Sequence, residues 1–271
     1  MSTQRERLKK FRSLHAAGRI LVLPNAWDAA SARMVQELGS EAIATSSAAV
    51  AWCHGYADGE TMPTEVALRA AKEIVRVVSI PVSVDSEAGY SSDPAKVAEY
   101  ACALIEAGAV GMNLEDGKSP PELLVAKIRG IKQAAKTRDA DIFINARCDA
   151  YLQDLVPDDR KLEEMIRRGK LYRDAGADRL FAPGMSEPAQ IRDVVQAIDL
   201  PVNILIMKNV PPIAELKTLG VRRVSAGALM GRAAYGAAYR ATSMLLSEGK
   251  YDSIFASSSD CPNFNGYFEA H

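Results

Sequence analysis

The sequence predicts a (β/α)8 TIM barrel: eight parallel strands in one domain, ringed by helices. Three observations carry that expectation. Eight short β-rich runs alternate with longer runs of helical period, and such alternation implies a parallel sheet. Several helical runs stop at a glycine followed at once by a strand, as in LGSEAI, AGAVGM and AGADRL. Glycine takes the left-handed conformation that ends a helix at no steric cost. The length, 271 residues, suits a barrel of this kind. An open doubly wound sheet is the competing architecture, and eight βα units favour closure over it.

Residues 1–19 are charged and carry Leu8, Phe11 and Leu14 at helical spacing. They predict an N-terminal helix without the apolar stretch of a secretory leader. The strands are expected at ILVLP (20–24), EAIAT (41–45), PVSVD (81–85), AVGMNLE (109–115), DIFINA (141–146), DRLFA (178–182), PVNIL (201–205) and VRRVS (221–225). Between them, segments such as TEVALRAAKEIVRVV and PAKVAEYACALIEAG repeat apolar residues at three- and four-residue steps, as amphipathic helices do. The eighth helix, about 228–247, is rich in alanine and suits close packing on the barrel or on a second subunit. The tail, 248–271, gathers Ser, Asn and Gly and is expected to be the least regular part. Its Phe255, Phe264, Tyr267 and Phe268 suit burial against a partner, so a homo-oligomer, dimer or tetramer, is expected. No linker or charge block divides the chain, which reads as one domain over 1–271.

The formal net charge is -1, with 25% charged and 48% hydrophobic residues. That balance favours neither nucleic acid nor an anionic membrane. No run approaches 18 uninterrupted apolar residues, so no membrane span is expected. The four cysteines, Cys53, Cys102, Cys148 and Cys261, form no CxxC pair. Neither a zinc site nor a disulfide framework is signalled, and the expected compartment is the cytoplasm.

In a barrel of this class the functional groups lie at the carboxyl ends of the strands. Asp85 and Glu87 end one strand; Glu115 and Asp116 end the next. Four acids on one rim would repel and take up protons unless a cation lay among them. Mg²⁺, or Mn²⁺ in its place, takes oxygen ligands of this kind. Acids in these positions also cap helices or pair with Lys and Arg, and two acidic clusters on neighbouring strands favour metal. Arg147 follows on the next strand, where its planar fork suits a carboxylate or a keto-acid oxygen pair. An ion pair with Asp149 or Glu115 is the alternative role. Thr45, Ser46, Ser47, Ala48 and Ala49 form a run of small residues whose backbone N–H groups suit a substrate carboxylate.

Taken in order, LPNAWDAASARMVQELG, TSSAAVAWCHGYADGE, PVSVDSEAGY, GMNLEDG and NARCDAY resemble the isocitrate lyase/phosphoenolpyruvate mutase superfamily over about residues 20 to 230. The resemblance implies an Mg²⁺-dependent barrel enzyme that forms or uses the enolate of a 2-oxo acid. It also implies an eighth helix of the kind often exchanged between subunits. By resemblance Asp85 is the direct Mg²⁺ ligand, with Glu87 and Glu115 holding the metal, often through water. Glu87 stands where the family more usually has Asp. Ser47 and Ala48 match the turn that holds the substrate carboxylate, and Arg147 matches the Arg that holds carboxylate and enolate. Asp58 matches a polar active-site position, and Trp27 and Asn203 match positions lining the pocket. One departure matters. The lyase branch carries a KKCGH-type loop whose Cys is the acid–base group, and here the segment is EDGKSPPELLVAKIRG, without Cys or His. The longer Lys- and Asn-bearing loop of the mutase and phosphonopyruvate hydrolase branches is also unmatched. Cys53 and His54 lie after the second strand and read as local structure or pocket edge. The simplest expectation is an oxaloacetate-type decarboxylase. Another carbon–carbon lyase or a phosphonopyruvate-type hydrolase is the second reading, and a barrel that binds 2-oxo acids without turnover is the third.

Overall fold

The structure, a computed structural model, describes residues 3–15 and 18–269; expectations for 1–2, 16–17 and 270–271 lie outside the described residues. The chain opens with α1 (Gln4–Ser13), started by a Thr3–Glu6 capping box. There follow β1 (Leu21–Leu23), β2 (Asn25–Ala26), α2 (Ala29–Glu37), β3 (Ile43–Thr45), α3 (Ser47–Cys53) and α4 (Thr64–Arg76). Next come β4 (Val82–Asp85), α5 (Pro94–Glu106), β5 (Gly111–Glu115), α6 (Pro121–Thr137), β6 (Phe143–Arg147) and α7 (Lys161–Ala175). The remainder is β7 (Arg179–Phe181), α8 (Pro188–Ala197), β8 (Val202–Leu205), α9 (Ile213–Thr218), β9 (Arg223–Ser225), α10 (Leu229–Glu248), α11 (Asp252–Ser258) and α12 (Phe264–Glu269).

Every strand pair is parallel, and the order runs β1-β9-β8-β7-β6-β5-β4-β3-β2. The first predicted strand, 20–24, is β1, and past Pro24, which has no N–H to donate to a ladder, a second short strand, β2, follows that was not expected. β1 pairs with β9 and β2 with β3, so the two together close the barrel. Asn25 bridges the break between them. Its Nδ2 donates to the Thr45 carbonyl at 2.6 Å, and its Oδ1 accepts from the N–H groups of Ala226 and Gly227 at 2.9 and 2.8 Å.

The main core lies between the sheet and the helices, where Met112, Leu114, Ile144, Leu180 and Ile204 meet Ile74, Leu104, Ile128 and Tyr172. A second cluster forms the barrel floor: Leu8, Phe11 and Leu14 of the N-terminal segment plug the opening against Leu21, Leu23 and Phe143. Gly111 makes room for that plug. A Cβ there would meet Ser83 Oγ at 3.0 Å and the Phe11 ring at 3.2 Å. The tail departs from expectation, because its described residues form α11 and α12. Its aromatic residues are spaced three or four apart, and helices bring them together: Phe264 packs against Tyr267 and Phe268. Among the described residues no helix is long and apolar enough to cross a membrane.

Candidate active site

Asp85, Glu115 and Arg147 are the last residues of β4, β5 and β6, and so stand together at the carboxyl end of the barrel. The register sets Asn113 beside Asn145 and Glu115 beside Arg147. Residues two apart on a strand share a face, so an Asn lies beneath each of these charged groups. Asn145 Nδ2 donates to Asn113 Oδ1 at 2.7 Å, and Asn113 Nδ2 donates to Asp85 Oδ1 at 3.3 Å. Both asparagines were passed over in the sequence. Their signal was the matched spacing of Asn-x-Glu and Asn-x-Arg on neighbouring strands.

Asp85 is held from both sides. Its other oxygen, Oδ2, accepts the Ser47 N–H at 3.0 Å, and its own N–H donates to Thr45 Oγ1 at 2.7 Å. The small-residue run expected as a turn is the start of α3, with Ser46 as the N-cap accepting from the Ala49 N–H at 3.4 Å. The Ala48 N–H lies in the first helical turn, where backbone donors have no intrahelical acceptor.

Arg147 is clamped by two carboxylates. Its Nε and Nη2 donate to Asp149 at 2.7 and 3.1 Å, and its Nη1 donates to Glu115 at 2.7 Å. A guanidinium carries five N–H donors, so two remain for a ligand. Burial lowers the Arg147 pKa, but Glu115 and Asp149 outweigh it and the net shift is upward. Burial pushes the Glu115 carboxyl up to about 8; Arg147 opposes the shift, and Asp85, Asp149 and Glu87 reinforce it. Here an ion pair at 2.7 Å does not lower the carboxyl, because lost hydration and three neighbouring acids together win.

Glu87 is anchored by the loop after α3. It has a left-handed backbone (φ 47°), and its Oε2 accepts the Glu60 N–H at 2.6 Å. Burial pushes its carboxyl up to about 7, against that hydrogen bond and with the help of Asp58 and Asp85. Asp58 sits on the exposed loop after α3. Partial desolvation and the charge of Asp85 raise its carboxyl, against the Gly59 N–H and Arg147.

The expectation for Asp116 changes, and Asn203 and Trp27 find their places. Asp116 does not join the acidic rim. It is buried, accepts the Asp149 N–H at 2.9 Å and Arg168 at 2.8 Å, and is hydrogen-bonded by the Tyr172 hydroxyl. It therefore props Asp149, which in turn aims Arg147. Asn203 is fully buried and donates to Ser225 Oγ at 3.3 Å inside the barrel, below the mouth. Trp27 lies under α10, with its ring 6.4 Å from Tyr235 and against Gly231. Cys53 ends α3 on the surface, as local structure.

Among the described residues, no three His, Cys, Asp or Glu side chains are already gathered as a metal-binding group. The donor set nonetheless fits a hard cation. Asp85 faces the mouth, Glu87 and Glu115 have carboxyls raised by burial and by their acidic neighbours, and oxygen is the only donor type they offer.

Residues 11–246 match the family described as phosphoenolpyruvate phosphomutase. The chain belongs to the isocitrate lyase/phosphoenolpyruvate mutase superfamily. It is 38% identical to an uncharacterised protein of Mycobacterium tuberculosis over 238 residues, 85% of this chain and 87% of that one. It is 30% identical to 2-methylisocitrate lyase of Bacillus subtilis, covering 74% and 67% of the two chains. It is 29% identical to oxaloacetate decarboxylase of Pseudomonas entomophila, covering 86% and 81%. Among solved structures, oxaloacetate acetylhydrolase in complex with its product oxalate matches with a TM-score of 0.83 at 25% identity, over 97% of this chain and 93% of that one. The superfamily placement makes lyase or mutase chemistry the general expectation for this barrel.

Proposed function

We propose that this superfamily member is an Mg²⁺-dependent enzyme acting on a small 2-oxo acid through an enolate, most simply as an oxaloacetate-type decarboxylase. One observation carries the choice within the superfamily. The connection from β5 to α6 spans only residues 116–120, a turn closed by the Ser119 N–H on the Asp116 carbonyl at 2.9 Å. It carries neither Cys nor His, and two prolines stiffen its end. The acid–base Cys of the lyase branch therefore has no counterpart on it. The named decarboxylase and acetylhydrolase relatives support oxaloacetate as the first substrate to try.

In this reading the free N–H donors of Arg147 and the backbone N–H of Ala48, joined by that of Ser47 once it is released from Asp85 Oδ2, hold the oxygens at C1 and C2 of the substrate. The carbon–carbon bond to the C4 carboxylate breaks and CO2 leaves. The electron pair passes through C3 to the C2 oxygen, and a solvent proton then adds at C3 to give pyruvate. Arg147, aimed by Asp149 and Glu115, lies where negative charge develops and stabilises it. When bound near Asp85, Mg²⁺ would polarise the same carbonyl. No general base is required, which fits a site without the lyase Cys. The test is a panel of 2-oxo acids and 2-hydroxy tricarboxylates with Mg²⁺, following CO2 and pyruvate. Release of succinate from methylisocitrate, with oxaloacetate inert, would favour the lyase reading. Binding without turnover across the panel would favour the non-catalytic one.

A further inference from the structure

Below the carboxylate mouth, the barrel interior contains two guanidinium groups. Arg179 starts β7 and Arg223 starts β9, two strands away. Both side chains are fully buried. Among the described residues, neither the Nε nor the two Nη atoms of either arginine has a hydrogen-bond partner. Arg179 stands over the Phe143 ring, 5.8 Å from its centre. That contact addresses one face of the group and none of its N–H donors.

Arginine remains charged in a protein interior, and a buried charge without a partner is among the costliest arrangements a fold can hold. The nearby carboxylates are already engaged. Asp178 pairs with Arg12 and Lys132 and accepts the Ile144 N–H at 2.9 Å. Asp85 accepts from Ser47 and Asn113. His15, stacked on the same Phe143 ring, has its pKa pushed down to about 2 by burial and by the charges of Arg179 and Arg223. The same imidazole leaves Nε2 without a partner. Ser83 Oγ, also buried in the barrel interior, has none either.

We propose that a small inorganic anion of the chloride class sits inside the barrel, held between Arg179 and Arg223. Water would fill N–H donors but leave two positive charges facing one another, whereas an anion does both tasks. The strand register sets Asn145 beside Arg179 and both Leu21 and Asn203 beside Arg223, and these residues and Phe143 are all buried, which suits a small ion. The site lies below the catalytic mouth and does not depend on the reaction assigned there.

The full chain in chloride should show a saturable rise in Tm of about 3 °C or more over the same chain in gluconate at equal ionic strength. The Arg223→Met variant should lose that difference. Independently, a bromide-soaked crystal of the unaltered protein should show an anomalous peak between the two guanidinium groups, a readout that needs no variant to fold. Absence of that peak, or a chloride effect retained in Arg223→Met, would overturn the proposal.

Discussion

Arg147 sits between two carboxylates. Asp149 holds its Nε and one Nη, and Glu115 holds the other Nη. Lysine keeps the charge but has no fork to share between two carboxylates and a ligand. Arg147→Lys is therefore expected to lower kcat on oxaloacetate by on the order of a hundred- to a thousand-fold, while Cys53→Ser, on the surface at the end of α3, changes it little. The two raised glutamates make a second prediction. A carboxyl whose pKa is higher in the folded than in the unfolded protein stabilises the fold at low pH and loses that contribution as pH rises. With Glu87 near 7 and Glu115 near 8, Tm in EDTA should fall between about pH 5 and pH 8.5. Added Mg²⁺ should raise Tm more at pH 8 than at pH 6, where protons compete for the same oxygens. A Tm that rises with pH in EDTA would contradict the proposed environment of these acids. Asp85, Glu115 and Arg147 were legible in the sequence because each ends a strand whose limit the β-rich run marks. The direction of Asp116 was not legible. It is one residue past a strand end, where alternation no longer dictates a face, and its partners Arg168 and Tyr172 lie more than fifty residues away.

Among elements, strands and helices could be read because apolar periodicity and glycine stops reinforce one another. AGADRL is an example: Gly176 takes φ 107° at the end of α7, and β7 follows three residues later. The continuation past Pro24 escaped because ILVLP ends there as one apolar run and the two residues of β2 are too few to signal a strand. The consequence of the missing Pro24 N–H appears only when β1 and β2 find different neighbours, β9 and β3. The seating of α1 under the barrel was equally hidden, since it depends on Gly111 across the floor from Phe11. Gly111→Ala would bring a Cβ to 3.0 Å from Ser83 Oγ and 3.2 Å from both the Phe11 ring and the Phe143 carbonyl. Overpacking of this kind costs about 1–3 kcal/mol, so thermal unfolding should shift down by roughly 2–4 °C per kcal/mol. An unchanged Tm would show that the N-terminal helix gives way without cost.

For the whole molecule, the question is what covers α10 and the tail. Within α10 only Gly231 is buried, and Tyr239, Leu246, Tyr251 and Phe255 are all more than half exposed. Apolar surface of that kind, continuous from α10 into α11, points to a second copy of the chain. Light scattering at micromolar concentration should give a mass of two or more chains, and a monomer would count against this reading. Metal-dependent loss of CO2 from a 2-oxo acid, supported by Asp85 and Arg147 without a thiol, is the proposal on which the rest depends. Its most direct test is steady-state pyruvate formation from oxaloacetate, corrected for the rate with Mg²⁺ alone. Turnover should disappear in excess EDTA and in Asp85→Ala, collapse in Arg147→Lys and survive in Cys53→Ser. Full activity in EDTA, or loss of turnover in Cys53→Ser with Arg147→Lys intact, would contradict the proposal.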